Sequence, residues 1–561
     1  MEEVNRTSKR SKKDSASLDP KAVELVMPLH APGMGPLHRA GLGGLACTLD
    51  WIRRERQAGR LDPGALPGGP WDSDPPWRIT PSSVTLVIGR ENQAAEYLEK
   101  LFALAFQLRD GLIFLPGQQG EVPVSLAVLA DLQQGLLLTF LQHGKTRNLG
   151  TEASVTYDPD QTDGQPVSVS FKPCSSFKHQ GLWESLVNKE KLTTKTVDLD
   201  GPISPGTAVR HVQYTGQTKA DQPVELALPA FFAMVGTLAL AVNRGVGVLL
   251  VPEVTDLCEF IRIRPEMTPR TAKSLRVANA ADAVLQAYIR IRAKTEMQGG
   301  ISSISTVTFR PVAWASQQKS RVGTLAVELT DDTRMLERFE RAMSHLPSRI
   351  KVQTEKPAAR ARANKKGLSD KREAYFVDSV VRGLVADNLA RGHPWHHDFA
   401  RMMTMKDPVD PKKFLRTKVG YEREGLNAMA KDSALFDEAG EKLLVEAVHE
   451  AIRGNYGRIR EETDGANPKG LSQACKNRME KFREKLRIDL AGSKTEDQVR
   501  FTLMDLFSRS RSRNSTLRDQ WTAILPIVRR DWRLARDLGL LALVSYKGQG
   551  RDEEMDSTDN S

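Results

Sequence analysis

Cysteine is scarce in this chain: four in 561 residues (Cys47, Cys174, Cys258 and Cys475), widely spaced and without a CxxC pair. That excludes a disulfide framework and a cysteine-rich zinc site, and points to a reducing compartment, the cytoplasm. Long apolar runs are missing too. The most apolar window, ALPAFFAMVGTLALAV, spans residues 227–242. It falls short of the ~20 residues that cross a bilayer. The strand-like VGVLLVPEV follows at once, so a buried helix is expected and no membrane partner. The first twenty residues hold no apolar stretch, which excludes a secretory signal and leaves a disordered basic arm.

Catalytic signatures are absent as well. The segment HAPGMGPLHRAGLGGLACTLDW at 30–51 packs glycines and prolines after the apolar AVELVMPL. A dinucleotide fingerprint needs G-x-G-x-x-G, yet Gly33 and Gly35 are followed three residues later by His38, and Pro36 interrupts the would-be helix start. The segment reads as a structural turn, or as a backbone platform for a nucleic-acid or protein partner with His38 and Arg39 as donors. HGKTRN at 143–148 lacks the first P-loop glycine, because Thr139 stands there. No GxSxG, HExxH or Cys/His nucleophile arrangement occurs. GHPWHHDF supplies His396, His397 and Asp398, the doublet of metal-dependent phosphohydrolases, but no histidine precedes His393 in the helical part. Downstream, Asp407 and Asp410 sit in the loop KDPVDPKK. Neither a cofactor nor a metal is expected.

What is present is positive charge: 81 Lys and Arg against 70 Asp and Glu, a formal net charge of +11. Such a surface attracts nucleic acid or another polyanion over about a Debye length. After the arm at 1–20, residues 21–350 mix short β-branched strands with amphipathic helices without regular βαβ alternation, which reads as an α+β domain. Residues 351–372 hold eight Lys/Arg and two acids, the composition of a solvated basic linker. From 373 to 548 amphipathic helices predict an all-α bundle, followed by a disordered acidic tail at 549–561.

Within this frame several residues suit nucleic-acid contact. Lys145 and Arg147 flank Thr146, and Asn148 can bond a base edge or a sugar. In FLPGQQGEVP, Gln118 and Gln119 occupy the tip of an expected loop, and a Gln amide can pair with adenine. Lys365 and Lys366 lie in the basic linker. In FSRSRSRNSTLRDQW, Arg509, Arg511 and Arg513 alternate with serine between two helices, and guanidinium groups fork onto phosphate oxygens.

Three stretches taken together, HAPGMGPLHRAGLGGLACTLDWI, FTLMDLFSRSRSRN with LRDQW, and DWRLARDLGLLALVSY, resemble the large subunit (Cas8-type) of type I CRISPR effector complexes (Cascade). The branch is that of the fruiting-body developmental protein T and its cyanobacterial relatives. The resemblance brackets residues 25 to 547. It implies a non-enzymatic protein at the 5′ end of a guide RNA, reading the protospacer-adjacent motif (PAM) of target double-stranded DNA, helping to open the duplex and holding the strands beside the hybrid. Implied partners are the guide RNA, the target DNA, Cas5- and Cas7-type backbone subunits, a small helical subunit, and a helicase-nuclease or transposition adaptor. Two alternatives stay open: a metal-dependent nuclease using His396, His397 and Asp398, or a purely structural scaffold.

Overall fold

The alternation of VELVMP makes Val23–Pro28 a strand that buries Leu25 and Met27 and exposes Glu24 and Val26. It pairs antiparallel with Ser83–Ile88, which pairs in turn with Trp77–Thr80. The computed structural model describes residues 23–142, 144–200, 203–205, 220–242, 245–293, 299–312, 319–328, 333–355, 371–407, 411–465, 470–510 and 514–548. In the N-terminal part the helices are α1 (Pro36–Gln57), α2 (Ala94–Ala105), α3 (Leu126–Thr139), α4 (Val224–Phe231), α5 (Ala233–Gly236), α6 (Leu257–Met267), α7 (Ala280–Arg292) and α8 (Arg334–His345). Beyond them come α9 (Val380–Leu389), α10 (Phe399–Thr404), α11 (Arg416–Gly420), α12 (Arg423–Lys431), α13 (Ala439–Thr463), α14 (Gln473–Gly492), α15 (Glu496–Ser510), α16 (Ser515–Arg530) and α17 (Trp532–Ser545).

The opening segment divides: residues 30–35 form the expected turn, with Gly33 at φ 90°, and helix α1 begins at Pro36. Pro36 sits in the first turn of α1, where its missing N–H costs nothing. The glycines let α1 lie against α4 and α5 at backbone distance: a Cβ at Gly41 would stand 1.9 Å from the Pro229 carbonyl oxygen, and one at Gly44 2.5 Å from the Gly236 nitrogen. The bare backbone of Gly41 and Gly44 faces protein, where a turn or a platform for a partner was expected, while Gly33 and Gly35 stay in the turn ahead of the helix.

Residues 227–242 divide. Helix runs to Gly236, and after Thr237 the chain becomes the strand Leu238–Val242, first of a four-stranded antiparallel meander with Val246–Val254, Ile301–Val312 and Lys319–Glu328. Helix α3 packs on the first two of these strands and α7 on the last three. Every strand pairing among the described residues is antiparallel. This is the α+β arrangement expected.

The 351–372 segment departs from a linker at both ends. Arg349–Glu355 pairs antiparallel with Lys371–Val377. Alternation explains it: Ile350, Ala374 and Phe376 pack against the core while Lys351 and Tyr375 point to solvent. The strand also removes the start of EAYFVDSVVRGLVADNLA from the expected helix, leaving α9. The basic stretch 356–370, the arm at 1–20 and the tail at 549–561 lie outside the described residues.

From about 430 to 545 the chain is all-helical, as expected. Helix α13 is the central rod, contacting α14, α15, α16 and α17, and it buries Leu444, Val448, Ala451 and Ile452 at helical spacing. The long helix expected over 516–546 breaks at Asp531, whose carboxylate accepts from the N–H groups of Arg533 (2.9 Å) and Leu534 (3.2 Å) and so starts α17. Among the described residues one apolar core runs from Leu25 to Val544, and Ile459, Cys475 and Met479 form a separate cluster.

Candidate nucleic-acid interface

The expected loop-tip glutamines are interior. Gln118 and Gln119 are 7% and 4% exposed. The Gln118 amide donates to the carbonyl oxygens of Met234 (2.7 Å), Val235 (3.2 Å) and Thr237 (3.3 Å). The fully buried Arg264 joins it, its Nε donating to Val235 O at 2.8 Å and its Nη2 to Thr237 O at 2.6 Å. A helix end leaves its last carbonyls without partners, and α5 ends inside the protein. Gln118 supplies those partners, so its amide N–H groups are spent on the fold. Gln119 accepts from the Val124 N–H at 3.2 Å and donates weakly to Leu115 O. The expected loop-tip placement of this pair is corrected to an interior one in which both amides support backbone.

His38 and Arg39 tie down the start of α1. The Gly35 N–H donates to His38 Nδ1 at 3.3 Å, and burial lowers the imidazole's pKa. Arg39 donates to Met34 O and pairs with Glu253. Both are half-buried.

The HGKTRN segment forms a short helical turn, Gly144–Thr146, and the strand Arg147–Leu149, paired with Cys174–Phe177. The Lys145 side chain is outside the described residues. Arg147 donates to Leu141 O and is half-buried, which lowers its pKa. Asn148 is exposed and donates to Ser176 Oγ at 2.8 Å. Of the sequence-nominated N-terminal residues whose side chains are described, it is the one that faces solvent.

In the bundle, Arg511 and Arg513, like Lys365 and Lys366, fall outside the described residues. Arg509 ends α15, pairs with Asp505 at 2.8 Å, and is 42% exposed. It lines an open groove of about 680 Å³ between α14 and α15, whose rim includes Phe501, 74% exposed.

The His-His-Asp cluster diverges. His396 is 0% exposed, 3.6 Å from the buried Glu441. His397 turns to solvent and stacks on His393 with ring centroids 4.7 Å apart. Asp398 takes a left-handed backbone (φ 62°), its N–H donating to Asp537 at 2.8 Å. Adjacent residues that point into the core and out of it cannot hold one ion. Among the described residues no group of three His, Cys, Asp or Glu side chains is arranged to hold a metal.

Sequence reasoning passed over a surface near residue 414. Leu415 and Val419 anchor the short helix α11, while Phe414 and Tyr421 at its ends stay 37% and 51% exposed. The Arg416 guanidinium lies 4.2 Å from the Phe414 ring centroid, and Lys351 Nζ lies 4.8 Å from that of Tyr421. The signal in the sequence was KKFLRTKVGYER, aromatic residues set among cations.

An antiparallel α+β region thus precedes a helical bundle in a net positive chain, and its nominated polar residues are divided between interior and surface. Family descriptions agree: the DevT N-terminal domain matches residues 26–231 and the DevT C-terminal domain residues 432–561. The CRISPR-associated protein Cas8a1/Csx13 of Myxococcus xanthus (strain DK1622) is 34% identical over 95% of this chain and 90% of its own length. The chain belongs to the DevT-related Cas8 family and is a CRISPR-associated large subunit. Among the described residues no helix is long and apolar enough to cross a membrane.

Proposed function

We propose that this chain is the non-catalytic large subunit of an RNA-guided type I surveillance complex. It sits in the cytoplasm at the 5′ end of the guide RNA, beside Cas5- and Cas7-type backbone subunits. There it reads the PAM, helps to open target DNA and stabilises the R-loop, and a helicase-nuclease or a transposition adaptor acts downstream. The observation that carries this reading is the similarity to a Cas8a1/Csx13 protein along nearly the whole chain. The division of labour follows the general logic of such systems, where base pairing reads the target and protein reads only the PAM and backbone shape. The net charge of +11 supports a phosphate-dominated affinity. The divergence of His396 and His397 weighs against the nuclease alternative.

The test is reconstitution. Guide RNA and backbone subunits are assembled with and without this chain, and binding is measured on targets carrying a randomised PAM. PAM-dependent binding that requires the chain is expected. Equal binding without it returns the chain to a structural scaffold, and Mg²⁺- or Mn²⁺-dependent DNA cutting abolished by His397→Ala overturns the non-catalytic reading.

A further inference from the structure

The hairpin Arg349–Glu355/Lys371–Val377 and the segment 405–421 meet at Tyr421. Arg349 Nη1 donates to the Tyr421 carbonyl oxygen. Lys351 stands over the Tyr421 ring. In the hairpin Lys351 is directly opposite Tyr375, and opposed residues of an antiparallel pair share a face. Tyr375 is 44% exposed on it. Further along, the chain folds back on itself, Asp407 N–H to Lys413 O at 2.8 Å and Leu415 N–H to Met405 O at 2.9 Å. That return presents Phe414 under the Arg416 guanidinium.

Three exposed aromatic rings are therefore interleaved with cations from two chain segments. The charge is one-sided. Among the described residues of 405–421 the cations are Lys406, Lys412, Lys413, Arg416 and Lys418, and the one acid, Asp407, is buried and paired with Lys418 at 2.7 Å. Interfaces with other proteins are depleted of lysine at their centres, so the composition favours a polyanion. A duplex keeps its base faces stacked inside and offers a surface ring base edges, sugars and phosphates but no open base face. An unpaired strand offers both phosphates and base faces.

We propose that Tyr375, Lys351, Tyr421, Phe414 and Arg416 form a binding site for single-stranded nucleic acid, in which unpaired bases stack on the rings and the neighbouring cations take the backbone phosphates. The proposal rests on the reading of the chain as a nucleic-acid-binding subunit and locates one single-strand contact on it.

The experiment measures fluorescence anisotropy of the full chain with a labelled oligo-dT of about 15 nucleotides and with a duplex of the same length. Tyr375→Ala with Tyr421→Ala should weaken oligo-dT binding by roughly tenfold or more, since each stacked base contributes on that order, and leave the duplex nearly untouched. Tyr421→Phe, which keeps the ring, should restore binding when combined with native Tyr375. An unchanged melting temperature shows that the variants are folded. Equal losses on both probes, or none on oligo-dT, overturn this site while leaving the functional reading in place. Unchanged oligo-dT affinity with loss of assembly onto the backbone subunits also overturns it, assigning the patch to protein contact. A wild-type chain, alone and in the assembled complex, that binds neither probe overturns the functional reading itself.

Discussion

Arg382 and Asp282 form an ion pair at 3.1 Å in full burial, their side chains 3% and 0% exposed, although one hundred residues separate them. Asp282 lies in the first turn of α7 and Arg382 in the first turn of α9. The guanidinium also donates to the carbonyl oxygens of Leu346 (3.1 Å) and Arg276 (3.0 Å) and to Ser348 Oγ (3.2 Å). Four hydrogen bonds thus bind chain segments from both sides of the basic stretch expected as a linker. Removing one partner of a buried pair strands the other charge, at about 3–5 kcal/mol. Arg382→Ala should lose about that much stability in a urea titration. In the parent chain α7, α8 and α9 should unfold together, and hydrogen exchange that opens α9 and leaves α7 protected would contradict it.

The α1–α5 crossing has no room for a side chain. A Cβ at Gly236 would stand 1.7 Å from the Ala40 carbonyl oxygen, a backbone atom that cannot rotate away. Gly236→Ala should therefore destabilise by about 1–3 kcal/mol or more. Gly181→Ala, where no atom lies within 4 Å of the new methyl, should stay near the parent in the same thermal melts.

His179 is fully buried among Phe106, Phe140 and Phe177, and neither ring nitrogen has a hydrogen-bond partner. Burial, with Lys178 adding, pushes its pKa down to about 3. The folded value lies below the unfolded one, so the unfolded chain binds the extra proton. Stability is full above about pH 6.5 and falls as pH drops toward the folded value. Between pH 7 and pH 5 the loss from this group is about 2 kcal/mol. His179→Leu should be more stable than the parent at pH 7, because an unpartnered polar group is gone, and its advantage should widen at pH 5. Chemical denaturation at the two pH values measures both differences.

Gln118 and Asn148 should separate structure from recognition. Gln118→Ala leaves the end of α5 short of a donor and should cost about 1–3 kcal/mol of stability, with PAM preference unchanged in the reconstituted complex. Asn148→Ala should leave stability within about 0.5 kcal/mol. If its amide reads a base edge, preference relaxes at one PAM position by about 1–3 kcal/mol. A PAM library screened against both variants decides between these outcomes.

Affinity for duplex DNA should fall with salt at a slope near −0.9 per phosphate neutralised. Arg511→Ala with Arg513→Ala should flatten that slope by up to about two units. Arg509→Ala should change it less, because Asp505 already engages that guanidinium. Anisotropy titrations between about 50 and about 300 mM salt measure the slopes.

Local pattern carried the element types. VGVLLVPEV is a strand over the residues expected, and α13, α14 and α15 follow the helical spacing of their apolar residues. The positive charge was equally legible, because composition does not depend on the fold. Long-range partners decided the rest. Gly41 and Gly44 look like turn glycines when read along the chain, and become a helix face once Pro229 and Gly236 lie against them, while Gly33 keeps the turn. Gln118 looks like a solvent-facing amide until the carbonyls at the end of α5, more than a hundred residues away in sequence, are set beside it. Residues 351–355 look like a basic linker until Lys371–Val377 pairs with them and gives the alternation a buried side. The setting of Tyr375 beside Lys351 and Tyr421 arises in the same way. A period of two or 3.6 is written locally, whereas burial and hydrogen-bond partners belong to contacts between distant segments, and those exist only in the folded chain.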